Sequence, residues 1–144
     1  MTHDELCKIG AKFLKSIGCS IIAIEPSSMC NEKPDVIGWN GATSFLLEAK
    51  ISRSDFLRDK KKPFRINSAF GMGDIRLYIA PEGLVKFEEL SERWGLVEVN
   101  KSGGINSVQG FPSWNRHTHT GNKRNENLIL LSLLRKKYDA PTDA

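Results

Sequence analysis

The sequence predicts an α/β protein, a mixed central β-sheet flanked by helices. Three observations carry this expectation. In residues 4–17 the apolar side chains Leu6, Ile9, Phe13, Leu14 and Ile17 recur at the 3.6-residue helical period. Residues 34–50 form two apolar runs broken at Asn40-Gly41, a strong hairpin signal. Further strand-like runs at 74–80 and 95–99 follow helical patterns, the crossovers that parallel strands need.

The first helix has Thr2 and Glu5 at capping-box spacing and Gly18 as its stop. A β-branched strand at 20–25 ends at Pro26, and a polar loop covers 26–33. After the hairpin, Ser52 or Ser54 caps a second helix running to Lys61 and ended by Pro63. Residues 66–73 hold two glycines and read as a loop. A short helix is expected at 85–93 and a glycine-rich turn or flap at 102–112. Residues 113–127 are polar and include His117 and His119. A closing helix at 128–138 places Leu128, Leu131, Leu134 and Tyr138 on one stripe, expected to be buried, and the last residues should fray. The order is αβββαβ plus C-terminal additions, in a single domain spanning 1–144.

Composition narrows the function classes. A hydrophobic content of 40% and a charged content of 26% are ordinary for a soluble globular chain. No apolar run approaches the roughly 18 residues a membrane span needs. The N-terminus lacks an apolar signal core, so the expectation is a cytoplasmic protein with no membrane partner. Cys7, Cys19 and Cys30 are three in number and widely spaced, which argues against a disulfide framework or a close-paired zinc site. No GxxxxGK[ST] loop is present, so an NTPase has little support. Residues 51–65 carry six basic and two acidic side chains, and residues 116–137 six basic and one acidic. Residues 82–99 are acidic instead. Basic segments of this kind suit a phosphate backbone, whereas the plainer reading is a solvated surface.

The hairpin carries the chemistry. Strand side chains alternate faces, so Glu48 and Lys50 point one way while Leu47 and Ala49 point into the core. The turn folds Asp35 back toward Glu48. Two carboxylates repel unless a cation relieves them. Mg²⁺ or Mn²⁺ accepts such a pair, and Lys50 beside it can orient or activate a water. A surface ion pair is the structural alternative for Glu48 and Lys50, and a turn residue the alternative for Asp35.

Pro34-Asp35 followed by Glu48-x-Lys50 resembles the PD-(D/E)XK nuclease superfamily, with its restriction-endonuclease-like fold. The stretch Glu48-Ala-Lys50-Ile-Ser52-Arg-Ser-Asp55-Phe56-Leu-Arg-Asp59-Lys60-Lys61, with the strands after it, is similar to the small MmcB-like DNA-repair nucleases. The resemblance covers roughly residues 20–100. It implies a restriction-endonuclease-like core and a deoxyribonuclease hydrolysing phosphodiester bonds in repair, recombination or phage DNA processing. Asp35, Glu48 and Lys50 are then the catalytic residues, with Asp35, Glu48 and the backbone carbonyl of Ala49 as metal ligands. Glu25 and Glu5 are further candidate ligands, as a strand-end and a first-helix carboxylate; a solvated position and a capping role explain them equally well. Ser52, Arg53, Lys60, Lys61, Lys62, Arg65, Lys123 and Arg124 are candidate nucleic-acid contacts, and Trp114 a stacking candidate. DNA is the expected partner, with RNA left open, and a homodimer is one route to cutting both strands. A catalytically silent DNA-binding or protein-interaction module on the same fold is the alternative reading.

Overall fold

The computed structural model describes residues 1–27, 29–110 and 118–139. The elements run α1 (His3–Ser16), β1 (Ile21–Ile24), β2 (Val36–Asn40), β3 (Thr43–Ala49), α2 (Arg53–Asp59), α3 (Pro63–Ile66), β4 (Ile75–Pro81), β5 (Gly95–Val99), β6 (Ile105–Gln109) and α4 (Lys123–Asp139). Among the described residues six strands form one sheet in sequence order. β1, β2 and β3 are antiparallel, β3, β4 and β5 are parallel, and β6 returns antiparallel on β5. The fold is therefore α/β with a mixed sheet, as the sequence predicts.

Capping sets the start of α1. The Thr2 hydroxyl accepts from the Glu5 amide at 3.1 Å, and the Thr2 amide donates to the Glu5 carboxylate at 2.9 Å. Gly18, at φ +104°, supplies the left-handed residue that ends the helix. The β2–β3 turn sits one residue later than the Asn40-Gly41 reading: Asn40 pairs with Thr43, leaving Gly41 and Ala42 at the tip. Gly41 takes φ +58°, which a primed hairpin turn reserves for glycine.

Strand alternation divides the core between two faces. Val36, Phe45, Leu47, Ala49, Ile75, Leu77, Ile79, Val97 and Val99 meet Leu6, Phe13 and Leu14 of α1. On the opposite face Leu46, Tyr78, Ala80 and Leu96 pack with Phe56 of α2, Val85 and Trp94. Beside them Ala23, Ile37, Trp39 and Met72 receive Ile129 of α4. Both faces of β3 are thus covered, and Glu48 shares its face with Leu46 and Tyr78.

Three expectations are corrected. The 102–112 segment contains β6, an edge strand of mostly exposed residues formed by pairing rather than by an apolar pattern. The helix expected at 85–93 reduces to one 3₁₀ turn, Phe87–Glu89. The closing helix begins at Lys123 rather than Leu128, with the Asn122 side chain accepting from the Asn125 amide at 3.1 Å. Its buried positions are Glu126 and Ile129, whereas Leu131, Leu134 and Tyr138 are exposed. His117, Trp114 and the terminal residues 140–144 lie outside the described residues.

Candidate active site

The register Val36 opposite Leu47, continued by one residue, sets Asp35 opposite Glu48 at the sheet end where β3 stops. A hydrogen bond from the Ala49 amide to Asp35 Oδ2, 2.9 Å, locks this end of the hairpin. The sequence-predicted residues are neighbours along the backbone, but their side chains have different partners.

Asp35 turns toward α1, where its Oδ1 lies 3.3 Å from Nε2 of His3. The other ring nitrogen of His3 is 3.3 Å from Glu25 Oε1, so one imidazole bridges two of the predicted carboxylates. Glu25 reaches this position from a left-handed backbone, φ +45°, unusual for a non-glycine. Cys7, one turn along α1, brings its sulfur within 3.7 Å of His3 Nδ1. Burial, reinforced by Asp35 and Glu25, pushes the Cys7 thiol up to about 12. Glu5 is absent from this group because the helix cap uses its side chain.

Glu48 turns to the other face and is buried. Its Oε1 lies 3.2 Å from Nη2 of Arg65, an ion pair that misses hydrogen-bond geometry and leaves both atoms unfilled. Burial pushes the Glu48 carboxyl well above the usual range against the pull of Arg65, with Asp35 and Asp59 adding to the rise. Lys50 is buried too, its Nζ 3.4 Å from Asp59 Oδ1.

Asp59 and Arg65 organise this face. Arg65 contacts Glu32 at 2.6 Å and Asp59 at 2.9 Å, and its guanidinium lies over Trp94 at 4.8 Å and Phe64 at 4.9 Å. The Tyr78 hydroxyl donates to Asp59 Oδ2 at 2.5 Å, and Lys62 Nζ lies 3.2 Å from Oδ1. Burial opposes the Asp59 charge, but Arg65, Tyr78 and Lys50 outweigh it and hold the carboxyl down at about 2.

The candidate nucleic-acid contacts divide accordingly. The Arg65 side chain is only 3% exposed and so is not placed to meet a phosphate. Ser52 caps α2 through the Asp55 amide. Arg53 forms a two-point pair with Glu89, and Lys60 donates to the Glu89 carbonyl at 2.7 Å. Lys123 joins a structural network, 2.7 Å from Asp74 and 3.0 Å from Glu126, with Ser44 and the Gly73 amide bonded to the same Glu126. Lys61 and Arg124 are exposed, and Lys62 is half-exposed beside Asp59.

Sequence reasoning missed His3, Cys7 and Glu32. The i, i+4 spacing of His3 and Cys7 was the readable signal, since it puts both on one helix face. Glu32 gave none, because its partners Arg65 and the Met72 amide come from distant segments.

His119 is half-buried against the edge of Trp94, with its backbone amide donating to the Asp74 carbonyl. Burial, aided by Arg76, Arg93 and Arg65, pushes its ring down to about 4. In the unfolded chain histidine takes its proton near pH 6.5. The unfolded state is therefore protonated first, and stability contributed by the neutral ring should fall as the pH drops from about 6.5 toward 4. Urea midpoints of wild type should decline over this window, and those of His119→Gln should decline less. Parallel curves would show that His119 does not set the slope.

No protein-family model matches the chain, and no curated protein matches it. Among solved structures, a protein of unknown function from Silicibacter pomeroyi is similar over 100% of this chain and 95% of its own, with a TM-score of 0.65 and 17% identity. That likeness supports the α/β architecture of six mixed strands flanked by helices. Among the described residues no helix is long and apolar enough to cross a membrane.

Proposed function

We propose that the chain is a divalent-metal-dependent nuclease of PD-(D/E)XK type, hydrolysing DNA phosphodiester bonds. The observation that carries this reading is the pairing of Asp35 with Glu48 by strand register, with Lys50 two residues beyond Glu48. The αβββαβ element order supports a restriction-endonuclease-like core. Two carboxylates and a backbone carbonyl are the oxygen donors a hard cation takes, and holding one here would require Asp35 to leave His3 and Glu48 Oε1 to leave Arg65. An ion of the Mg²⁺ or Mn²⁺ class supplies polarisation of a phosphodiester oxygen.

The chain's own groups do the rest. Asp35 is aimed by the Ala49 amide, and Glu48 by Arg65. Lys50, oriented by Asp59, holds a water near the phosphate and stabilises developing charge. Lys61 and Arg124 follow the nucleic-acid backbone without reading bases. The setting is DNA repair, recombination or phage DNA processing in the cytoplasm, and RNA and a homodimer belong to the same test.

A second reading has its own observation. Arg65 on Glu48 and Asp59 on Lys50 are buried ion pairs that hold both side chains away from solvent. This arrangement suits a binding module that does not cleave. Labelled duplex, single-stranded and branched DNA, and RNA, should be incubated with the purified chain in Mg²⁺, Mn²⁺ or EDTA, and its mass in solution measured. The nuclease reading expects cleavage in Mn²⁺ or Mg²⁺ that EDTA abolishes. Binding without cleavage in every metal selects the silent module.

A further inference from the structure

We propose that His3, Cys7, Glu25 and Asp35 form a binding site for one borderline-soft divalent ion of the zinc class. The four side chains each place one ligand atom so that all lie within 4.8 Å of one another. Ligands on a tetrahedral Zn²⁺ at about 2.0–2.3 Å stand roughly 3.3–3.8 Å apart. With His3 Nδ1 as the ligand atom, Glu25 Oε1 at 3.3 Å and the Cys7 sulfur at 3.7 Å already have that spacing, while Asp35, which faces the other ring nitrogen, closes the group within the 4.8 Å limit.

The donor set decides the ion. A thiolate and an imidazole suit Zn²⁺ far better than Mg²⁺, which takes oxygen ligands. The placement is also rigid on two sides. His3 and Cys7 lie one turn apart on α1, whose N-terminus is fixed by the Thr2–Glu5 cap. Asp35 is held by the Ala49 amide through the oxygen that does not face His3. A cleft of about 520 Å³, lined by Glu25, Pro26, Ser27, Lys33, Pro34 and Asp35, opens onto the two carboxylates of the group, with Glu25 exposed. On binding, the Cys7 S–H bond breaks, its proton goes to solvent, and the sulfur takes the metal.

This inference does not rest on the nuclease reading. Asp35 is common to both sets, but Glu48 and Lys50 belong only to the hydrolytic one. Co²⁺, a coloured stand-in for Zn²⁺, should be titrated into the purified full chain under reducing conditions, followed by Zn²⁺ competition. The expected result is one equivalent bound, with a near-ultraviolet sulfur-to-cobalt charge-transfer band that Zn²⁺ removes. Cys7→Ser should abolish that band and weaken Zn²⁺ binding more than about 100-fold, beyond the roughly 10- to 100-fold cost of losing a single outer partner. Cys19→Ser, Cys30→Ser and Glu48→Gln should leave the band in place. Should Cys7→Ser fail to fold, His3→Ala, half-buried at the first turn of α1, carries the same comparison of Zn²⁺ affinity. No band in wild type, a band that survives Cys7→Ser, or unchanged Zn²⁺ affinity in His3→Ala overturns the site. Cleavage activity enters none of these readouts, so the zinc site and the nuclease reading fail separately.

Discussion

Arg65→Met should destabilise the fold by about 3–5 kcal/mol, the usual cost of removing one partner from a buried charge network. One guanidinium faces three carboxylates, Glu32, Glu48 and Asp59, at 2.6, 3.2 and 2.9 Å. Methionine keeps much of the stem's contact with Phe64 and Trp94 but leaves those carboxylates without their shared cation. Lys50 and Lys62 still reach Asp59, so Glu32 and Glu48 bear most of the loss.

The pH dependence separates this mechanism from simple loss of packing. In wild type the Asp59 carboxyl is held at about 2, below its ordinary value. Its contribution is present above pH 4 and lost as the pH falls toward 2. In Arg65→Met the stranded carboxylates prefer their protonated forms. The variant's deficit should therefore grow as the pH rises through the usual carboxylate range. Urea unfolding at several pH values measures both trends, and adding Glu48→Gln should recover part of the loss at neutral pH. A deficit below about 1 kcal/mol at neutral pH would mean that water reaches these carboxylates.

The same arginine shows where local reading of the sequence stops. Residues 60–65 looked like a basic helix end because four cations follow α2. Pro63 instead opens α3, with proline at its first position, and this turns Arg65 inward. Its partner Glu32 is 33 residues away, so no spacing rule could pair them. The hairpin was legible because turn chemistry and register are local, and α1 because its cap and period agree. α4 was legible as a helix but not in its orientation. Residues 128–134 are apolar on almost every side, so periodicity alone could not choose the buried face. Glu126 settled it by bonding Ser44 and the Gly73 amide inside the protein. The β6 edge strand has no apolar alternation and exists because β5 offers it a ladder. At the candidate site the backbone neighbourhood of Asp35, Glu48 and Lys50 was readable. The divergence of Asp35 toward His3 and of Glu48 toward Arg65 was not, because it depends on what packs on each face of the sheet.

Lys50→Ala should leave the protein folded while reducing metal-dependent cleavage by about 10²- to 10³-fold, the loss expected for a positioned charge or proton-transfer group. Folding survives because Asp59, the partner left behind, keeps Arg65, Lys62 and the Tyr78 hydroxyl. The variant should also retain Mn²⁺ binding, since neither Asp35 nor Glu48 is touched. Glu48→Ala should lose Mn²⁺ binding and cleavage together, and Asp59→Asn should lower the rate by loosening Lys50 without removing it. Single-turnover rates in Mn²⁺, read beside thermal melting with and without the ion, distinguish these outcomes. If wild type cleaves a substrate and Lys50→Ala cleaves it at the same metal-dependent rate, the Glu-x-Lys assignment fails. The hydrolytic centre would then have to be sought elsewhere, first where Asp35 meets His3 and Cys7.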